Sequence, residues 1–291
     1  MKKNILIIGG LGSIGKKITE KIKNEYNIYV IDKKTNPTQS KKIHFYKNNL
    51  VSKNQLKQKL PKKIIVLYLA GNLENKSKGR ELTKSINDNI ISLTNLLSLI
   101  QNKTERFIFL SSISVYGKPK KLPITEKNEV LPISNYGIQK ACCEIILDSF
   151  CKYHKIPLTI IRLSQVYGIT SAKHSLPHIL VKNLQNSKRV PIKSDLKIKR
   201  DYIHIDDLLK FLNSILKSKN NGIYNFGYGK GISVLELFKT AYKVHGLEFN
   251  YRSNSNPSFS QFYDIDKALN TFGYSPSINV KSWIKYSKKG E

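Results

Sequence analysis

The run Asn4-Ile-Leu-Ile-Ile-Gly-Gly-Leu-Gly-Ser-Ile-Gly15, followed by Asp32 at the end of the next apolar stretch, has the residue types and spacing of a dinucleotide cradle. Gly9 and Gly12 can take the positive φ of a tight turn and bring backbone N–H groups up to a pyrophosphate. Gly15 lets the following helix pack close to the strand. The helix start at Ser13 and Ile14 offers oriented N–H donors and a partial positive charge to the phosphates. Asp32 stands twenty residues after Gly12, where a carboxylate accepts from both adenosine ribose hydroxyls and repels a 2′-phosphate. The expected cofactor is NAD rather than NADP, although the basic neighbours Lys33 and Lys34 could tolerate the extra phosphate.

Such a cradle needs a sheet to hold it. After the first strand–helix–strand unit, Lys42 to Tyr46, Ile64 to Leu69, Arg106 to Leu110 and Leu158 to Leu163 read as strands. Each is nearly continuous in apolar character, as buried parallel strands are. Between them, Glu81 to Ile100 and Asn135 to His154 read as long helices. The alternation predicts an α/β fold with a doubly wound parallel sheet of the Rossmann type, ligands binding at the carboxyl ends of the strands. Leu69, Ala70 and Gly71 fall at one such end and are expected to line the cofactor. Past Gly168 the pattern loosens into short strands and helices. A capping box from Ser233 to Glu236 opens a helix to about Val244, and Phe272-Gly-Tyr-Ser-Pro276 reads as a helix stop. The expected organisation is a cofactor-binding domain over 1–168, with a returning segment near 203–220. A smaller, mainly substrate-binding lobe over 169–291 is expected to close over the sheet edge.

Composition narrows the function classes. The 291 residues include three cysteines, Cys142, Cys143 and Cys151, all within one predicted helix. That is neither a disulfide framework nor a metal-ligand pattern, and it points to a reduced cytoplasmic setting. His174 and His178 have helical metal-pair spacing, but Pro177 intervenes and no Cys or carboxylate is near. No apolar stretch approaches the roughly 20 residues of a membrane span, and the basic start of the chain reads as mature structure. The formal charge of +30 would ordinarily suggest a polyanion partner. Only six of the 50 basic residues are arginine, the usual base reader, and lysines are spread along the whole chain. A solvated lysine surface is expected, with nucleic acid not the partner, and its positive field would speed encounter with an anionic substrate.

Two further segments carry chemistry. Phe109-Leu-Ser-Ser-Ile-Ser-Val-Tyr-Gly117 ends the fifth strand, and Asn135-Tyr-Gly-Ile-Gln-Lys140 opens the helix after it. With these and the glycine cradle, nearly the whole chain resembles the extended short-chain dehydrogenase/reductase family, in its NAD-dependent nucleotide-sugar epimerase and dehydratase branch. The resemblance implies a catalytic set of Ser112, Tyr136 and Lys140, with Ser112, Ser114 and Tyr136 contacting substrate and Tyr136 and Lys140 also contacting cofactor. Tyr-x-x-x-Lys alone says little, because it also occurs at Tyr29/Lys33, Tyr116/Lys120 and Tyr263/Lys267. Only Tyr136 lies at a helix start downstream of a Ser-Ser strand end, and its spacing puts Lys140 on the same helix face. A phenolate base working near neutrality must be brought down from a pKa near 10, a differential stabilisation of about 4 kcal/mol. A lysine ammonium and the positive nicotinamide ring are expected to supply it. Asn89 matches a family asparagine that supports the site and contacts the cofactor; it could equally be a helix asparagine bonding backbone.

Downstream, Arg162-Leu-Ser-Gln-Val-Tyr-Gly168 resembles a family segment in which Gln165 replaces a substrate-contacting asparagine. Arg200-Asp-Tyr-Ile-His-Ile-Asp-Asp-Leu208 resembles the segment whose arginine grips the nucleotide diphosphate, though Arg200 could instead pair with Asp201 or Asp206. Tyr224-Asn-Phe-Gly-Tyr-Gly229 resembles a lobe motif whose glycines let backbone approach the ligand. Three departures matter: Asn49 in place of an aspartate beside adenine, Ser194 and Leu196 in place of a Gly-Asp-Gly pair, which would reshape the nucleotide pocket, and Ile113 where dehydratases carry an acid. The resemblance thus implies a nucleotide-sugar 4-epimerase acting as a homodimer. The alternatives are a 4-keto reductase or dehydrogenase with the same residues, and a non-catalytic nucleotide- or RNA-binding protein on this fold.

Overall fold

The computed structural model describes residues 2–35, 42–52, 60–73, 79–168, 175–186, 188, 190, 195–249 and 259–287. The chain divides into two compact units. Unit 1 comprises Met1–Gly117, Glu129–Arg162 and Lys219–Tyr224; unit 2 comprises Lys118–Asn128, Leu163–Ser218 and Asn225–Glu291.

Unit 1 is built on a seven-stranded sheet. In chain order its elements are β1 (Asn4–Ile8), α1 (Ser13–Ile22), β2 (Asn27–Asp32), β3 (Ile43–Lys47), β4 (Ile64–Tyr68), α2 (Gly79–Ile86), α3 (Ser92–Ile100), β5 (Thr104–Ser112), α4 (Asn135–Tyr153) and β6 (Leu158–Leu163). The strand order is β10-β6-β5-β4-β1-β2-β3, where β10 is Gly222–Phe226. The pairs β1–β2, β1–β4, β2–β3 and β4–β5 are parallel. The order reverses between β1 and β4, so the loops after these strands lie at the topological switch point where ligands bind in such sheets. Leu6, Val66, Tyr68, Phe107 and Phe109 of the sheet pack against Leu93, Leu96 and Leu97 of α3 and Leu147 of α4. That core fixes the heights of the strand ends.

Two elements differ from the sequence expectation. β3 is an edge strand with half-exposed residues rather than a buried apolar run, and Lys47 at its end is exposed, a charge that discourages edge pairing. The long helix expected over Glu81 to Ile100 is interrupted by a π turn at Asn87–Ile91. The Ser92 N–H bonds to the Asn87 carbonyl, five residues back, while Ser92 Oγ donates to the Asp88 carbonyl at 2.6 Å. Such turns occur mostly at functional sites, because the extra residue re-aims a side chain. Here it sends Asn89 into the interior, 1 % exposed.

Unit 2 contains β7 (Gln165–Tyr167), α5 (Leu176–Gln185), β8 (Lys199–Arg200), β9 (Tyr202–His204), α6 (Ile205–Lys217), β11 (Ile232–Ser233), α7 (Val234–Val244), α8 (Asp266–Phe272) and α9 (Val280–Tyr286). β8 pairs antiparallel with β11 and β7 parallel with β9. Leu180 and Val181 of α5, Leu237, Phe238 and Ala241 of α7 and Ile284 of α9 share one core. The capping box at Ser233 and Glu236 is present, and α8 ends at Gly273 with φ +64°. Asp207, wholly buried on α6, accepts from Tyr274, from both the amide and hydroxyl of Ser277, and from the Ile278 amide, which pins the segment before α9.

Candidate active site

The turn between β1 and α1 has the shape a pyrophosphate requires. Gly9 takes φ +80°, and a Cβ there would lie 2.9 Å from the Ala70 backbone, so only glycine lets the turn meet the loop after β4. A Cβ on Gly15 would lie 2.3 Å from the Gly9 carbonyl oxygen, which confirms the close helix–strand approach. Gly12 departs from expectation. Its φ is −68°, an ordinary extended N-cap, and its value lies in having no side chain between the first turn of α1 and an approaching anion. Gly10, which the spacing argument passed over, is needed for packing, since a Cβ there would meet Val30 at 2.5 Å.

Asp32 ends β2 as a mostly buried carboxylate. Oδ2 accepts from the Leu11 amide at 2.9 Å and Oδ1 from the Lys34 amide at 2.9 Å. A carboxylate has about four lone-pair sites, so two backbone donors fix its orientation and leave room for two hydroxyls. The Lys33 ammonium is bound to Asp88, 3.0 and 2.9 Å from its two oxygens.

Ser112, Tyr136 and Lys140 come together at the carboxyl end of β5. Ser112 ends that strand and caps a short 3-10 turn, Ile113–Tyr116, by accepting from the Ser114 amide at 3.2 Å; its hydroxyl donates to Ser114 Oγ at 3.2 Å. Ser134 caps α4 by accepting from the Gly137 amide, which sets Tyr136 in the first turn. A Cβ on Gly137 would lie 2.4 Å from the Ser114 carbonyl oxygen, so this glycine lets α4 start against the 3-10 turn. The Tyr136 phenol shares a hydrogen bond with the Ser112 hydroxyl. One helical turn on, Lys140 Nζ lies 5.9 Å from the Tyr136 ring centroid and donates to the Leu110 carbonyl at 2.9 Å and the Ala70 carbonyl at 3.4 Å. A Cβ on Gly71 would lie 3.3 Å from the same ammonium. The loop Leu69–Gly71 therefore runs between the glycine turn and the lysine.

Burial raises the Tyr136 phenol above its ordinary value, and the Ser112 hydrogen bond offsets this only in part. Removal from water disfavours the phenolate more than the protein's own groups favour it. Burial also lowers Lys140, to about 8, opposed by its interactions with Cys143 and Glu144. At about 8, the lysine keeps its proton near neutrality.

Behind the site lies a network that sequence reading missed. Asn89 Oδ1 accepts from the Asn72 amide at 2.7 Å, while its Nδ2 donates to the Asn72 carbonyl at 3.0 Å and to Gln139 Oε1 at 2.5 Å. Gln139 in turn donates to the buried Ser85 hydroxyl at 2.9 Å. Asn89 thus bonds backbone, that of the loop after β4, and ties this loop to α4 beside Lys140. Glu144 forms a buried ion pair with Arg162, Nη2 to Oε2 at 2.7 Å, and accepts from Ser111 Oγ; Arg162 Nη1 donates to the Tyr116 hydroxyl at 2.9 Å.

In unit 2, Gln165 is exposed on β7. The Arg200 guanidinium donates to the Phe259 carbonyl and stands 5.7 Å from the Phe259 ring; no carboxylate pairs with it among the described residues. Asp201 is buried and accepts from the amides of Tyr228, Gly229 and Tyr263 at 2.7, 3.1 and 3.3 Å. A Cβ on Gly227 would meet the Asp201 carboxylate at 2.6 Å. Leu196 lies in the unit 2 core and not in a pocket wall. Ser194 and His174 lie outside the described residues.

A family model, the NAD dependent epimerase/dehydratase family, matches residues 5–227. The chain belongs to that family. UDP-glucose 4-epimerase of Lactobacillus helveticus is 29% identical to it over 94% of this chain and 92% of that protein. The dTDP-4-dehydro-6-deoxyglucose reductase of Escherichia coli is 26% identical over 97% of this chain and 96% of that protein. A UDP-glucuronic acid 4-epimerase of Bacillus cereus, solved with a fluorinated UDP-sugar and NAD, superposes with a TM-score of 0.85 at 25% identity, covering 97% of this chain and 96% of that one. The chain is an enzyme of this nucleotide-sugar epimerase/dehydratase class, and its cofactor is NAD. The geometry fits NAD: a turn whose Gly9 and Gly15 exclude any Cβ, an uncovered helix start at Gly12, and a fixed carboxylate at Asp32. Among the described residues no helix is long and apolar enough to cross a membrane.

Proposed function

We propose that this family member is a nucleotide-sugar 4-epimerase. The observation that carries the reading is the 3-10 turn after β5, which puts Ser112 and Ser114 beside the start of α4 with no carboxylate among its residues. Elimination of water needs a general acid there, whereas oxidation and return need only a base and a hydrogen-bond donor. Tyr136 takes the proton of the sugar C4 hydroxyl and later gives it back. Ser112 donates a hydrogen bond to the C4 oxygen, which strengthens as that oxygen becomes a ketone. Lys140, held by the Leu110 and Ala70 carbonyls, keeps a positive charge near the phenolate. NAD, when bound, would supply acceptance and return of the hydride; inversion requires that the 4-keto sugar turn over before the hydride comes back, and no net oxidation results. In this reading Gly9, Gly12, Ser13, Ile14, Gly15, Asp32, Leu69, Ala70, Gly71 and Asn89 surround the cofactor, Gln165 contacts the substrate, and Arg200 grips its nucleotide diphosphate. The three free cysteines agree with a reduced cytoplasmic location. Exposed Ile138, Ile145 and Tyr153 on α4 favour a homodimer.

The Escherichia coli relative favours a second reading, a 4-keto reductase with an exchangeable cofactor. Mass spectrometry of nucleotide released on denaturation separates the two. Near-stoichiometric NAD is expected of an epimerase, whose cofactor never has to leave. An empty or NADP-bearing protein would favour the reductase.

A further inference from the structure

We infer that Asp88 is a second determinant of NAD over NADP, acting by holding Lys33 away from the cofactor's 2′ position. The inference rests on the reading that Asp32 faces the adenosine ribose. Beside that carboxylate is a cleft of about 480 Å³ whose lining includes Lys33, Asn49, Arg80, Lys84 and Asp88. It is tied to the end of β2 twice: Lys33 follows Asp32 directly, and Asn49 follows Asn48, whose amide donates to the Asp32 carbonyl at 2.9 Å. Three cations line the cleft against one carboxylate, Asp88, among the described residues. Left to themselves, an ammonium next in sequence to Asp32 and two further cations on α2, Arg80 and Lys84, would suit a phosphate monoester.

Asp88 prevents that. It lies in the π turn with its side chain only 14% exposed, and its Oδ2 also accepts from Asn72 Nδ2 at 3.0 Å, so its position is fixed. Lys33 is 52% exposed and bonded to both Asp88 oxygens, so the flexible partner is the one restrained. A phosphate arriving at the ribose 2′ oxygen would have to break this pair to recruit Lys33, and would face Asp88 as a like charge. NAD makes neither demand.

The test is the ratio of NAD to NADP dissociation constants, measured by titrating each dinucleotide into the full chain and its variants after co-purified nucleotide has been removed. Asp88→Asn keeps the shape and the Asn72 contact but removes the charge. The expected result is an NADP affinity that improves roughly fivefold or more relative to NAD. In Asp88→Asn combined with Lys33→Ala that gain should vanish, because Lys33 is the group released. An unchanged ratio in Asp88→Asn would overturn the inference, as would a gain that persists without Lys33, which would be a general field effect. Asp32→Ala checks the underlying reading separately: it should weaken NAD far more than NADP, and equal losses would remove the ribose assignment whatever Asp88→Asn does.

Discussion

Tyr136→Phe should lower kcat by at least about a thousandfold while NAD remains bound. The change removes one oxygen from a ring at the start of α4 and leaves the helix cap, Lys140 and the glycine turn in place. General acid–base groups contribute typically 10²–10⁴-fold to rate, and in the proposed mechanism the same phenol serves both the forward and the return proton transfer. Steady-state turnover and the nucleotide content of the purified variant are the two readouts. Full turnover in the variant would refute the role of Tyr136; loss of turnover together with loss of NAD would make the residue a cofactor support instead.

Glu144→Leu should destabilise the fold by about 3–5 kcal/mol, the usual consequence of leaving a buried charge without its partner. Arg162 and Glu144 are 4% and 7% exposed, and Glu144 receives bonds from Arg162 Nε, Arg162 Nη2 and Ser111. Removing the carboxylate strands the guanidinium with the Tyr116 hydroxyl as a neutral partner. Urea unfolding of the variant should begin at clearly lower concentration. Glu144→Leu combined with Arg162→Met should recover most of the loss, since apolar side chains of similar size replace both charges. A double variant as unstable as the single one would show that packing around Glu144, rather than the unpaired charge, dominates.

Those two residues also mark the boundary of what the chain discloses. The glycine turn, Asp32, and the Tyr136–Lys140 pair were legible because each is written in local spacing: a strand end, a tight turn, a helix face. The long-range pairs were not. Arg162 and Glu144 are 18 residues apart, Asn89 and Gln139 are 50, and Lys33 and Asp88 are 55. Nothing local distinguishes Gln139 from a surface glutamine, and Asp88 reads as an ordinary helical carboxylate until the π turn brings it to Lys33. Gly137 carried a weak signal, a glycine in the first turn of a long helix, and only the Ser114 carbonyl at 2.4 Å from its would-be Cβ explains it. Arg200 was left open between a surface ion pair and a ligand contact; the pair is not formed among the described residues, and Asp201 spends its carboxylate on three backbone amides.

The central claim is transient oxidation at C4 with return of the hydride. It is tested most directly by incubating the purified protein, without added cofactor, with nucleotide-diphosphate hexoses carrying deuterium at C4, and following the products by NMR. The account predicts inversion at C4 with the deuterium retained and no net formation of reduced cofactor. Product that appears only with added reduced nicotinamide cofactor, or stoichiometric reduced cofactor accompanying an oxidised sugar, would contradict it.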